Sequence, residues 1–406
     1  MRIFTAVRHS LNPKLYYGGL WSGNFYEALR QLGCEILESQ VDLLPSSRFM
    51  HVPGDFTSEE RRVRAQIAQR IIDEVEKAHK EKPVDMFLSY FYNAHFDPSG
   101  FDRIHRLGIK TVNFYCNSIY QFELVSEIAK SVNFAWHTEK NARELYIKSD
   151  ANPVWVQLGA DPGLYSPVDA GIRQPKACFV GSRYADRDRW LAALIASGIP
   201  LDIYGNGWKA ARHKKDVPGD AKSSYLGRRQ PPQASLESYM NVISGNIRKN
   251  GLFKGVLRTA NQINYKIKTR ELDALIMSIN PKEEIAPGDI SKTYALYEVV
   301  LNFSNVWADG QPGSRLIPHV RLRDFEAPMC RSCYLTGYTA EIGEFYELGK
   351  EIDTYRTQEE LADKIKFYLG HSSAASNMRE AGYRRAVRDH TWKERFKVLF
   401  GKIGLK

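Results

Sequence analysis

The chain has 406 residues, too many for one ordinary hydrophobic core, so two or three domains are expected. Its composition, 43% hydrophobic and 26% charged with no apolar run long enough to span a bilayer, excludes both a disordered chain and a membrane-spanning one. A formal net charge of +10 leaves three classes of partner: nucleic acid, an anionic membrane surface, or anionic substrates such as nucleotide diphosphates.

The first apolar run, Arg2–Val7, reads as a strand and not as a leader peptide, which places the protein in the cytoplasm. Further strands are expected at Cys34–Glu38, Asp85–Tyr90, Lys110–Tyr115, Val132–Trp136 and Pro153–Gln157. Between them lie a helix over Asn24–Leu32, stopped by Gly33, and a helix over Arg61–Lys80 preceded by a capping box at Thr57 and Glu60. Three prolines and three glycines within Gly159–Pro175 mark a linker, assigned to 161–175. Strands then resume at Ala177–Val180, Leu201–Tyr204, Val299–Phe303 and Ser332–Thr336, with helices over Gln358–Leu369 and the last thirty residues. Alternation of this kind builds doubly wound parallel sheets. The expected fold is α/β: two Rossmann-like domains facing a cleft, at 1–160 and 176–385. A basic helical insertion at about 228–290 and a C-terminal helix at 386–406 returning to the first domain complete it.

Within the insertion, Ser238–Arg270 contains seven basic residues and no acidic one, with apolar residues interleaved. Such a segment suits a solvated basic face, a lid over an anionic substrate, or a helix lying on the inner face of a membrane. The five cysteines are odd in number and scattered, so no disulfide framework is expected. Cys330 and Cys333 form a lone C-x-x-C without a second pair, which reads as two small residues packed where a helix meets a strand.

Ligands of doubly wound sheets bind at the carboxyl ends of the strands. Those loops hold His9 and Gly18-Gly19 after the first strand, and His95 and Asp97 after the third. In the second domain they hold Gly181-Ser182-Arg183, and Tyr204-Gly205 after the next strand. Glycine permits close approach of backbone to a phosphate or a sugar. No dinucleotide-binding G-x-G-x-x-G follows the first strand and no P-loop occurs, which argues against a standard dehydrogenase or ATPase.

Arg323-Asp324-Phe325-Glu326-Ala327-Pro328-Met329-Cys330 resembles the signature of the C-terminal module of GT-B glycosyltransferases, most closely the group related to the spore-maturation protein CgeB. Upstream, Phe179–Ser182, Ile203–Trp208 and Leu301–Ser304, and downstream, Gly349–Ile352 and His390–Trp392, match in the same order, so the resemblance covers roughly 155–395. It implies a glycosyltransferase that moves a sugar from a nucleotide diphosphate onto a glycan, lipid-linked or protein acceptor. No cofactor beyond the donor, no metal and no nucleic acid partner would be involved. Glu326 would hold the ribose hydroxyls, Arg323 and Arg183 the diphosphate from opposite walls, and Asn302 would lie beside them. If the reaction inverts, His95 with Asp97, or His9, would deprotonate the acceptor. The chain departs from the pattern at Arg331, where the signature ends in glycine, at Pro318, where retaining enzymes place a second glutamate, and at Asn117, where the group often has aspartate. Two alternatives remain open: a GT-B fold epimerase acting on a nucleotide sugar, and a basic nucleic-acid-binding protein.

Overall fold

The computed structural model describes residues 1–12, 19–50, 56–209, 247 and 251–405. Contacts divide the described chain into two units: 1–158 with 392–405, and 159–209 with 251–391. Gly18 and most of Ser238–Arg270 before Gly251 lie outside the described residues.

The first unit alternates strand and helix from β1 (Arg2–Ala6) through α1 (Leu20–Gln31), β2 (Glu35–Glu38), α2 (Ser58–Glu81), β3 (Met86–Ser89) and α3 (Gly100–Arg106). It continues with β4 (Lys110–Tyr115), α4 (Ser118–Gln121), α5 (Ser126–Ser131), β5 (Phe134–His137), α6 (Arg143–Ile147) and β6 (Pro153–Trp155). The six strands form one parallel sheet in the order β2-β1-β3-β4-β5-β6. Helices cover such a sheet, so β1 and β3 are buried along their whole length, as their mainly apolar sequences suit. α2 starts at the expected capping box: Thr57 accepts from the Glu60 amide, and the Glu60 carboxylate accepts from the Thr57 amide at 2.7 Å. It buries Ile67, Ile71, Ile72 and Val75, each contributing about 1.5–3 kcal/mol.

The second unit begins at Gly159, so the stretch expected as a linker is tied into it. Ala160 pairs with His390, and the Asp161 carboxylate caps the Gly163 amide at 2.8 Å. Then follow β7 (Gln174–Val180), α7 (Arg187–Ala196), β8 (Leu201–Tyr204), α8 (Leu252–Glu271), α9 (Asp273–Ser278), α10 (Ile290–Ala295) and β9 (Tyr297–Asn302). After these come the hairpin β10 (Asn305–Trp307) and β11 (Leu316–Pro318), then α11 (Arg323–Met329), β12 (Tyr334–Gly337), β13 (Asp353–Tyr355), α12 (Gln358–Gly370) and α13 (Ser372–Asp389). The parallel sheet runs β13-β12-β9-β7-β8. The chain then returns to the first unit as α14 (Trp392–Ile403). There Trp392 donates to Asn24 at 2.9 Å and packs edge-on to Phe25.

Pro328 limits α11, whose last turn closes through Cys330. Cys330 and Cys333 are free and buried, Cys330 against Ser291 and Cys333 against Met378, where helix gives way to strand. Between them Arg331 holds a left-handed backbone, φ 58°, the conformation for which glycine is the default residue. This is the position where the resembling signature ends in glycine. Arg331 also pairs with Glu380, an exposed contact of small worth. Arg331→Gly is therefore expected to be more stable than Arg331→Ala by about 1 kcal/mol, reversing the usual order of the two residues. Urea midpoints of the two variants measure this, and Ala equal to or above Gly would contradict the strain.

Candidate functional site

In both sheets the chain reverses its winding at the first strand, between β1 and β3 and between β7 and β9, and crevices at such points receive ligands.

At the first crevice the His9 imidazole lies against the end of β3, its Nε2 2.6 Å from the Tyr90 carbonyl. It stacks on Tyr90 at 4.7 Å and meets the His95 ring edge-on at 4.3 Å. His95 is closed off from solvent; its Nδ1 accepts from the Tyr92 amide at 3.2 Å, and among the described residues its Nε2 has no hydrogen-bond partner. Burial pulls His9 down to about 4, and burial with His9 beside it lowers His95 as well, so both rings are neutral near pH 7. Asp97 stands apart from this pair. Its carboxylate binds the Ser99 amide and hydroxyl and lies 3.7 Å from Arg64. The expected His95–Asp97 couple thus becomes a His9–His95 couple, because a carboxylate two residues before a serine turns onto that serine's own amide and hydroxyl. Gly19 precedes α1, and a Cβ built on it would lie 3.6 Å from the Ser22 hydroxyl.

At the second crevice several expected ligand-binding residues are committed elsewhere. Arg183 donates to Asp273 at 2.6 Å and to the Thr269 carbonyl at 2.8 Å, with Asp188 at 3.4 Å, so its charge is matched by two carboxylates. A Cβ on Gly205 would sit 2.4 Å from the Gly181 carbonyl, and one on Gly181 2.8 Å from the Phe179 ring. These two glycines are explained by backbone packing between the β7 and β8 loops. Ser182 is exposed, and its carbonyl accepts from Arg187 at 2.8 Å. Tyr204 joins a cluster with Tyr297 at 2.6 Å and Lys282 at 3.0 Å, anchored on Asp202. Asn302 is buried and donates to Thr336 at 3.0 Å and Asp324 at 3.3 Å.

The signature helix carries two expected residues side by side. Arg323 and Glu326 pair at 2.8 Å, with Glu326 buried and Arg323 partly exposed. Burial opposes the charge on Arg323, but the adjacent Tyr294 and Glu326 outweigh it and raise its pKa.

Sequence reasoning missed the residues that carry unmatched charge. Arg187, at the start of α7, and Arg321, just before α11, both lie 5.9 Å from the Tyr184 ring centre. Among the described residues neither forms an ion pair: Arg187 donates to the Ser182 carbonyl and Arg321 weakly to that of Asn305. Burial, and then the neighbouring Arg321 and Arg323, pull the Arg187 guanidinium down to about 9. Next to this cluster is a cavity of about 410 Å³ at the ends of β9, β12 and β13, lined by Ser304, Asn305, Pro318, Gly337, Tyr338 and Arg356 among others. Arg356 lies 3.3 Å over the Tyr338 ring. The strand-end rule could have pointed to Ser304 and Asn305, which come within three residues of the end of β9.

Asp324 fixes this arrangement. Its buried carboxylate accepts from the Arg321 amide at 2.6 Å, Tyr334 and Thr336 at 2.8 Å each, and Asn302 at 3.3 Å. Burial raises its pKa against the pull of those donors.

Residues 248–401 match the family model described as glycosyl transferase-like. No curated protein matches the chain. Among solved structures, sucrose-phosphate synthase of Thermosynechococcus elongatus aligns over 100% of this chain and 99% of its own, with TM-score 0.52 and 12% identity. AviGT4, a glycosyltransferase of avilamycin A biosynthesis, aligns over 100% and 96% with TM-score 0.53 and 14% identity. Anabaena HepE in complex with UDP aligns over 99% of both chains with TM-score 0.53 and 10% identity. The fold is the GT-B fold of glycosyltransferases, with two parallel-sheet α/β domains.

The buried histidines of the first unit make its stability depend on pH. His9 and His137, both near 4 when folded, and His95, also lowered, regain their ordinary value near 6.5 on unfolding. Below that value the unfolded chain binds the extra protons, so stability is full above about pH 6.5 and falls toward pH 4, by about 1.4 kcal/mol per pH unit for each histidine. Urea midpoints followed by tryptophan fluorescence should drop between pH 7 and pH 5, with a shallower drop in His9→Gln. Equal midpoints at the two pH values would contradict neutral burial.

Proposed function

We propose that the chain, a glycosyltransferase by its matched segment and its fold, takes a nucleotide diphosphate sugar as donor and binds it on the second unit, at the ends of β7, β9 and β12. The single observation that carries this reading is the group of arginines beside the cavity. A half-buried guanidinium with no carboxylate partner, held near two others, is costly unless an anion completes it. A diphosphate supplies that anion, and Arg187, Arg321 and Arg323 meet the charge that grows on it as the sugar leaves. Because these side chains can carry that charge, the reaction is proposed to proceed without a metal. Glu326, already next to Arg323, receives the ribose hydroxyls, and Tyr338 with Arg356 offers a flat surface for the base. AviGT4 and HepE are a glycosyltransferase and a UDP-binding protein of the same fold, which is consistent with this donor class. The acceptor is proposed to be a glycan, lipid-linked or protein hydroxyl, and the CgeB-like group is proposed as the nearest relation on the Arg323–Cys330 signature.

Titration calorimetry with UDP, GDP, ADP and dTDP in the presence of EDTA should show one preferred nucleotide. Arg187→Gln and Arg321→Gln should each weaken it by about 1.5–3 kcal/mol, the worth of hydrogen bonds to charged groups. Arg183→Gln, whose charge is already matched, should change affinity by well under half of that. Unchanged binding in both Arg187→Gln and Arg321→Gln would sink the assignment.

On the first unit, His95 is proposed to accept the acceptor's proton. Support comes from its unpartnered Nε2 and from its neutral state near pH 7. His95→Gln should then lower kcat about a hundredfold or more while leaving the dissociation constant of the nucleotide unchanged. Full turnover by His95→Gln would remove this role.

A further inference from the structure

We propose that α8 docks on the surface of an anionic lipid membrane, an attachment that goes beyond the donor reading and does not rest on it. The helix has two faces. Gly255 and Thr259 are buried on the inner one, Tyr265 donates to the Ala185 carbonyl at 3.0 Å and packs on Trp307, and Arg258 pairs with Asp309 at 2.5 Å. A Cβ on Gly313 would sit 2.8 Å from the Asn261 carbonyl, so the loop of the β10–β11 hairpin lies directly against the helix. That face is finished.

The opposite face is open and mainly apolar, with Asn264 among its polar residues. Phe253 is 82% exposed, Val256 51% and Ile267 54%, with Ile263 between them on the same stripe at helical spacing. Leu252, 71% exposed, and Leu257, 53%, widen it. Contiguous apolar surface of this kind marks an interaction site. By the rotation of 100° per residue, Lys254 and Lys268 border one side of the stripe and Arg270 the other, all exposed. Among the described residues these three cations form no ion pair, and no Asp or Glu occurs from 238 to 270.

Charge decides the occupant. An apolar stripe bordered by cations on both sides places its side chains among acyl chains and its charges among lipid phosphates. A second copy meeting this face about a two-fold axis would bring the same cations against each other, which is unfavourable. Since the inner face is fixed to Ala185 and Trp307, an attached helix would also hold the β7 and β9 loops close to the lipid surface.

Flotation of the full chain with vesicles tests this. One set is phosphatidylcholine alone; in the other about a third is phosphatidylglycerol, enough to give a negative surface. The protein should float with the anionic vesicles at low salt, sink with the neutral ones, and be released by high salt. Phe253→Ser with Ile267→Ser, and separately Lys254→Gln with Lys268→Gln and Arg270→Gln, should each lower the partition coefficient by about tenfold or more. All these positions are exposed, so melting temperature and nucleotide affinity should match the native protein and show that the variants are folded. The proposal is overturned if the native protein stays at the bottom with anionic vesicles or floats equally with neutral ones. It is overturned as well if both variants float like the native chain, or if sedimentation velocity finds a native dimer that the serine variant dissolves.

Discussion

The geometry of the second unit depends on one buried carboxylate. Asp324 gathers donors from β9, from two positions on β12 and from the backbone just ahead of α11. Burying an ionised carboxylate is costly, and four hydrogen bonds offset that cost while joining elements that share no strand pairing with α11. The network reaches the cavity: Thr336, bound to Asp324, lies 3.1 Å from the Ser304 hydroxyl, which donates to the Gly337 carbonyl at 2.8 Å. Ser304 and Gly337 both line the cavity. Asp324 also sets where Arg321 leaves the backbone and where α11 begins, and hence where Arg323 and Glu326 stand. None of those residues has to find its position independently.

Much of the fold was legible because buried parallel strands are written as short runs rich in aliphatic, β-branched and aromatic residues. Lys110–Tyr115 and Leu201–Tyr204 coincide with β4 and β8 to the residue, and the Thr57–Glu60 capping box marks the start of α2. The β10–β11 hairpin was not legible: its strands are three residues each, too short to show alternation. Val132 and Asn133 read as strand, yet the Asn133 side chain accepts from the Thr111 amide in a turn and β5 starts at Phe134. The stretch 159–175 read as a linker from its prolines and glycines, and the contacts that tie it down come from His390 and Thr391, more than two hundred residues away.

The site was harder, for reasons that particular residues make plain. Glycine leaves the same mark in a sequence whether a phosphate or another backbone makes the close approach, so Gly181 and Gly205 could not be told apart from a phosphate cradle before the Gly205–Gly181 contact was seen. Arg183 and Arg187 follow the same strand four residues apart. Which of them is free is decided by Asp273, some ninety residues on, whose carboxylate takes Arg183. Side-chain partnerships of that range have no local signature, whereas Arg323 and Glu326, one helical turn apart, could be read as neighbours.

The two units show how far topology goes and where side chains take over. Each sheet reverses its winding beside its first strand, so each places a crevice at the same point of the same wiring. In the first unit two described cations near that point are matched: Arg8 pairs with Glu38 at 2.7 Å and Arg64 with Glu127 at 3.1 Å. What fills the crevice is a stack of aromatic rings and histidines kept neutral by burial. In the second unit Arg187 and Arg321 have no carboxylate partner among the described residues and sit within reach of each other's field. A crevice of neutral rings and matched charges has nothing to gain from a highly charged ligand, and one with unmatched guanidinium groups has much to gain. The proposed placement of a diphosphate donor on the second unit rests on this electrostatic difference, which acts before shape or hydrogen bonding selects a base or a sugar.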